Sequence, residues 1–260
     1  MPPAGDPDAR SFPRTASGYG MAAMTGSPHS DAAPARGERA SGSMREPLTL
    51  ALLGLTFLSG MVDAVSYLGL GRVFTANMTG NLVLLGFAIA HSGGLPVLAP
   101  VISLGAFALG AGIGGQLGTR LRDRHAVHVS AVLTLQAGLI SATTILAAAV
   151  HVRAGTASGY VVIGTLAAAM GLQTATARRL AVPDLPTTVI TQTLTGLAAD
   201  SRLFGGSGQG TVRRGSALSA MLAGAVVGAL LVKGGPVLAL ASSGGLALLI
   251  QFAYLPTARR

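Results

Sequence analysis

Two short polar strings interrupt an otherwise apolar chain, and both carry groups that can coordinate an ion or hydrogen-bond a small solute. The first runs Gly60-Met-Val-Asp63-Ala-Val-Ser66-Tyr67 and resumes as Val73-Phe-Thr-Ala-Asn77-Met-Thr79-Gly80-Asn81. Asp63 is the only acid well inside an apolar segment. A carboxylate there is costly in hydrocarbon and by default points to an ion or proton site. The competing reading puts Asp63 near the outer end of its helix, paired with Arg72 or capping the segment that follows. Asn77, Thr79 and Asn81 alternate with small residues at a helix start. There they either cap backbone amides or present donors and acceptors to a solute at a broken helix.

The second string runs Gly171-Leu-Gln173-Thr174-Ala-Thr176-Ala-Arg178-Arg179, then Pro186-Thr187-Thr188-Val-Ile-Thr191-Gln192-Thr193-Leu-Thr195-Gly196. Its candidates for a solute pathway are Gln173, Thr188, Gln192 and Thr195. Hydroxyls of this kind also serve as glue between helices. Pro183 and Pro186 fit a break in the helix ahead of the short segment. Arg178 and Arg179 read as a membrane boundary rather than an anion site.

The elements that must hold these strings are membrane helices. Mean hydropathy is +0.59, half of the residues are hydrophobic and 10% are charged. A soluble domain carries about a quarter charged residues. The first 47 residues hold ten charges that cancel, whereas from Leu48 onward four acids face thirteen basic residues, so the net +9 belongs to the apolar part. These bases sit in clusters between apolar runs rather than along one continuous face, which argues against nucleic acid. No Cys is present, which excludes disulfides, thiolate metal sites and iron–sulfur clusters.

Residues 1–45 are rich in Pro, Gly, Ser and Ala without a hydrophobic period, so a disordered tail without a signal-peptide core is expected. Residues 46–255 form the membrane domain, and 256–260 a short basic end. Apolar segments Leu48–Leu68, Ala99–Gly118, Val127–Val150, Gly159–Ala177, Ser216–Val232 and Val237–Tyr254 each approach the roughly 20 residues that cross a bilayer. Val73–Ala90 is more polar, and Thr187–Ala199, at 13 residues, is too short to cross comfortably. The expectation is therefore an all-α polytopic bundle of six spans with two short re-entrant segments. With the amino end inside, this arrangement places ten Arg residues in inner loops against three basic residues outside. A seven-span rival, in which Val73–Ala90 crosses, scores eleven against two but must export the tail with Arg36, Arg39 and Arg45.

The order of long helix, short polar segment and Gly-rich helix occurs twice. Gly60, Thr79-Gly80 and Gly110-x-x-x-Gly114 match Gly171, Thr195-Gly196 and Gly224-x-x-x-Gly228 at offsets of 111, 116 and 114 residues. In the six-span arrangement the copies run in opposite directions, which is the inverted-repeat plan of many secondary transporters. The Gly series allow close helix approach within one chain, the preferred reading, or between copies in a homo-oligomer.

The two strings resemble the paired motifs of the YoaK-like family, small bacterial multi-spanning proteins without an assigned function. The likeness covers about residues 46–255 and rests on VDAVSYLGLGRVFTANMTGN, supported by the GLQ, RRL, TT and TLTGL pieces of the second string. It implies a bacterial membrane location and brings no substrate, cofactor or catalytic residue.

No HExxH, GxSxG or GxxxxGK[ST] motif occurs, and no enzyme activity or cofactor is expected. His125 and His128 beside Asp123 sit among Arg120, Arg122 and Arg124, which makes a cationic loop rather than a metal site. The preferred function is transport of a small solute or ion across the bacterial inner membrane, with both chain ends cytoplasmic. The alternative is a scaffold or sensor whose polar residues only hold helices together. Transport expects both strings to line one water-accessible cavity, and a scaffold expects them to be spent on internal contacts.

Topology is testable by single cysteines in this Cys-free chain. Cysteines replacing Ser92, Ser158 and Gly235 should react with an impermeant maleimide from outside, and those replacing Arg122 and Ser207 should be protected. External labelling at position 122 defeats both topologies, and a cysteine at Ser43 tells six spans from seven.

Overall fold

The computed structural model describes residues 36–150, 152–180, 190–201, 205–207 and 210–258. They form α1 (Arg36–Gly69), α2 (Met78–Ile89), α3 (Leu98–Arg120), α4 (His125–Ala149), α5 (Ala157–Leu180), α6 (Ile190–Ala199), α7 (Thr211–Lys233) and α8 (Pro236–Ala258). Six helices are long and apolar enough to cross a membrane, over Thr49–Gly69, Leu98–Arg120, Ala126–Ala149, Ala157–Leu180, Thr211–Lys233 and Pro236–Tyr254. The 12 residues of α2 and the 10 of α6 reach only about 18 Å and 15 Å at 1.5 Å per residue. Neither helix alone crosses a core of about 30 Å. The fold is thus the expected helical membrane bundle, with six long helices and two short ones.

Residues 1–35 of the segment expected to be disordered lie outside the described residues, and α1 begins at Arg36, within the last part of that segment. Once a span has nucleated a helix, each added residue gains a backbone hydrogen bond without a new nucleation cost. A composition that cannot start a helix can therefore extend one.

Where lipid belongs, the surface is apolar. Leu109 and Ile113 on α3 and Leu222, Val226 and Leu230 on α7 are exposed at helical spacing. In water such stripes would be a liability, whereas in a bilayer they meet the solvent that suits them.

The bundle has an internal twofold plan. α1 packs along α7 and α5 along α3; α4 packs on α5 and α8 on α1; α2 lies on α3 and α6 on α7. Exchanging α1 with α5, α2 with α6, α3 with α7 and α4 with α8 turns each of these pairs into another. The contacts between α4 and α8 and between α1 and α5 map onto themselves, and α3·α4 maps onto α7·α8. α1 and α5 are the most deeply buried spans and carry the core residues Leu58, Val62 and Val65, and Ile163, Leu166 and Met170.

Glycines set the distance at which these pairs meet. A Cβ added at Gly60 would overlap the carbonyl oxygen of Met221, and one at Gly171 the carbonyl oxygen of Phe107. Gly224 meets the carbonyl of Phe57 as Gly110 meets that of Ala168. Gly228 sits on Met61 and Ala64, and Gly114 on Leu172 and Ala175. Each α1 residue named here has its α5 counterpart 111 residues on, and each α3 residue its α7 counterpart 114 residues on. The repeat read from sequence is therefore present as paired backbone contacts. The same contacts use these glycines inside one chain.

Gly60→Ala and Gly171→Ala are expected to destabilise by about 1–3 kcal/mol each, because backbone must shift to admit the methyl group. Gly86 has open space around it, and Gly86→Ala should be neutral or stabilise by roughly 0.5–1 kcal/mol through helix propensity. Thermal unfolding of the purified variants checks the contrast.

Candidate functional site

The first polar string is a helix break held together by side chains. α1 ends at Gly69, and the chain reverses through Gly71 and Arg72, with φ of 125° and 56°. It then runs back as non-helical backbone before α2 starts at Met78. Backbone that leaves a helix within lipid must find new hydrogen-bond partners. Asp63 supplies them one turn and a half before the break: its Oδ1 accepts from the amides of Thr75 at 2.9 Å and Ala76 at 2.7 Å. Asn81 does the same from the other side. Its Oδ1 accepts from the Phe74 amide at 2.8 Å, and its Nδ2 donates to the Phe74 carbonyl at 2.6 Å and to Ser103 Oγ at 3.0 Å. Ser103 Oγ in turn donates to the Phe74 carbonyl at 2.7 Å, tying the break to α3.

Of the two readings left open for Asp63, capping the following segment is the one its bonds follow. Arg72 is exposed, and Asp63 Oδ1 is bonded to backbone amides rather than to it. Asp63 is 5% exposed, and its Oδ2 is buried without a hydrogen-bond partner. Asn77 caps α2, its side chain accepting from the Gly80 amide at 3.2 Å, and Thr79 is exposed. Tyr67 and Phe74 stack with ring centroids 4.9 Å apart. Asp63, Tyr67, Phe74 and Asn77 line one side of an open groove whose far wall is Met221, Ala225 and Ala229 of α7.

The second string divides. Gln173 is buried on α5 and reaches α1, donating from Nε2 to the Leu55 carbonyl at 3.2 Å and to Ser59 Oγ at 2.9 Å. Ser59 Oγ donates to the same Leu55 carbonyl at 2.9 Å, so it receives the Gln173 bond on a lone pair. That fixes which way the Gln173 amide points, and its Oε1 accepts from Gln136 Nε2 of α4. Gln136 Oε1 and Thr176 Oγ1 remain buried and unpartnered beside a small cavity of about 20 Å³, roughly the size that holds one water. Ser59 and Gln136 both stand near the middle of their spans. This network therefore joins the two repeats at mid-membrane.

Gln192 and Thr195 are exposed on α6, whereas Thr193 is its buried threonine. Thr188 lies outside the described residues. α6 is tied to α7 by Arg214, whose Nη1 donates to the Gly196 carbonyl at 2.8 Å and to Asp200 Oδ2 at 2.6 Å. Among the described residues, Gln173 lines the small cavity and Asp63 and Asn77 line the groove, so these members of the two strings border different spaces. They are linked through α1, where Ser59 stands one turn before Asp63. Gln136 and Ser103 were not among the sequence candidates, although each had a signal. Gln136 is the one amide in α4, and Ser103 the one hydroxyl in the first half of α3.

Residues 51–253 match the family described as Protein of unknown function (DUF1275). The chain belongs to this family. It is 35% identical over 178 residues to the UPF0700 transmembrane protein YoaK of Bacillus subtilis (strain 168), covering 66% of this chain and 75% of that protein. No solved structure matches. The family thus agrees with the multi-spanning architecture and brings no substrate with it.

The Gln173 network makes a quantitative expectation. Gln173→Leu leaves the Gln136 amide without its acceptor in the interior, at a cost of about 1–3 kcal/mol. Gln136→Leu removes one bond and an oxygen that has no partner, so it should cost less. The double variant should lose less than the sum, with a coupling of about 0.5–3 kcal/mol in a double-mutant cycle of thermal or denaturant unfolding.

Proposed function

We propose that the protein is a permease for a small solute or ion in the bacterial plasma membrane, with both chain ends cytoplasmic. The observation that carries this reading is the twofold exchange of helix pairs, in which α1 on α7 and α5 on α3 meet through equivalent glycine–carbonyl contacts. Two such halves can exchange their arrangements through the pseudo-twofold axis that relates them, which is the mechanical basis of alternating access in inverted-repeat transporters. The short helices add to it, since each half brings one helix that stops part-way through the bilayer. The Gln136–Gln173–Ser59 network at the repeat interface occupies the position where such proteins bind their substrates. The orientation follows from the Arg clusters at the ends of α3 and α5 and at the start of α7.

A second reading, a scaffold without transport, has its own supporting observation. Asn81, Ser103 and Gln173 are spent on bonds inside the bundle, and among the described residues Gln173 and Asp63 border different spaces. The readings differ in motion and flux. Spin labels on cysteines replacing the lipid-facing Leu109 and Leu222 should give two distances by pulsed electron resonance, with populations that change between pH values or on adding a substrate. Proteoliposomes should take up at least one member of a panel of ions, amino acids, sugars and amines. A single narrow distance under every condition, together with no uptake, leaves the scaffold.

A further inference from the structure

Asp63 is a carboxyl in a lipid-embedded helix with half of its hydrogen-bonding capacity unused. Oδ1 holds the Thr75 and Ala76 amides; Oδ2 makes no hydrogen bond and has no contact with solvent. Structural need accounts for the first oxygen only. An asparagine carbonyl would accept the same two amides without bringing a charge into hydrocarbon, so capping alone does not call for an acid here.

Among the described residues, the surroundings supply no counter-charge. α7 faces Asp63 with Met221, Ala225 and Ala229, and the reversing segment and α2 face it with backbone amides and Asn77. On α1 the nearest titratable group is the Tyr67 phenol; Arg72 is exposed in the reversal, and Lys233 is exposed at the end of α7. A metal cation needs several oxygens gathered around it and space for its radius. Oδ2 is sealed from a water-sized probe, and a proton is the one cation that needs no such space. Asp63 nevertheless borders a groove of about 340 Å³ between α1 and α7. The glycine contact of Gly60 on Met221 is the seam that a small separation of these two helices would open.

We infer that Asp63 is a proton-binding site: Oδ2 carries a proton in the closed arrangement seen here and exchanges it with water admitted through the α1–α7 groove. In this step the Oδ2–H bond breaks, the proton passes to water, and the carboxylate keeps its two amide bonds through Oδ1. The inference deepens the permease reading and rests on it for its purpose, making the proton the coupling ion, but the site itself can be measured without any substrate.

The experiment is infrared spectroscopy of the full chain in bilayers, grown with carboxyl-¹³C aspartate. At neutral pH the wild type should show a protonated-carboxyl band carrying the isotope shift. The shifted band should be missing from Asp63→Asn. Asp63→Glu, which keeps an acid but not the label, should return the band without the shift and covers the case in which the Asn variant does not fold. Transfer to heavy water should move the wild-type band, and Ala229→Leu, which narrows the groove, should slow that change severalfold. An ionised Asp63 at neutral pH, or a band that disappears on adding sodium ions, overturns the proton site. An unchanged exchange rate in Ala229→Leu overturns the groove as its route. A titrating Asp63 in a protein that moves no solute supports the site and removes the permease reading alone.

Discussion

Lipid tails are as apolar as leucine, so a helix in a bilayer gains little by burying one leucine against another. Association has to come from close packing and from polar contacts. In this chain the close packing is concentrated where a glycine on one helix meets a carbonyl on its neighbour: Gly60 and Gly224 between α1 and α7, Gly171 and Gly110 between α5 and α3. These contacts bring backbones together over several turns, and the rest of the bundle is arranged around the two pairs they create. They also explain the surface. With the small residues turned inward, the large ones on α3 and α7, such as Leu109 and Leu222, are left facing lipid.

The second constraint is that no backbone group can go unpaired in hydrocarbon. Each half of the chain breaks its path with a short helix, and the two halves anchor that helix differently. α2 is held by buried side chains, with Asn81, Ser103 and Asp63 between them holding the backbone from Phe74 to Ala76. α6 is tied at its far end to the largely buried Arg214, which pairs with the half-exposed Asp200. Buried hydrogen bonds in low dielectric are costly to leave unmade, so the bonds of Asp63, Asn81 and Ser103 hold the break ahead of α2 in place.

Much of this was legible in the sequence because its signals are local. Runs such as Val237–Tyr254 state their own length, and the six long helices fall within a few residues of the apolar segments. Glycine pairs at constant offset gave the repeat, since a close approach tolerates no other residue. What was not legible depends on which face a residue turns to. Gln192 and Thr195 belong to a polar string that looked like a pathway, but the phase of α6 buries Thr193 instead. Gln136 looked like one polar residue in an apolar helix, and its meaning comes from Gln173, 37 residues away. Asp63 was readable as an acid in a membrane that could pair with Arg72 or cap the following segment, but the choice between them depends on where the amides of Thr75 and Ala76 return after the chain reversal.

The scaffold is symmetric and its polar content is not, which accounts for Gln173 and Asp63 bordering different spaces. The offset of 111 residues sets Thr174 at the place equivalent to Asp63, and Val62 at the place equivalent to Gln173. A polar side chain in the Gln173 phase of its helix looks toward the other central helix and α4, where it finds Ser59 and Gln136. One in the Asp63 phase looks toward its own following segment and the seam with α7. Because the acid stands in one half only, with a threonine as its counterpart, and the amide in the other only, with a valine as its counterpart, the twofold plan repeats the packing without repeating the chemistry. The acid sits at an intra-repeat break bordering a helix seam, and the amides sit at the repeat interface. α1 carries both within a single turn, from Ser59 to Asp63, so a change in how α1 packs on α7 is felt at the amide network as well.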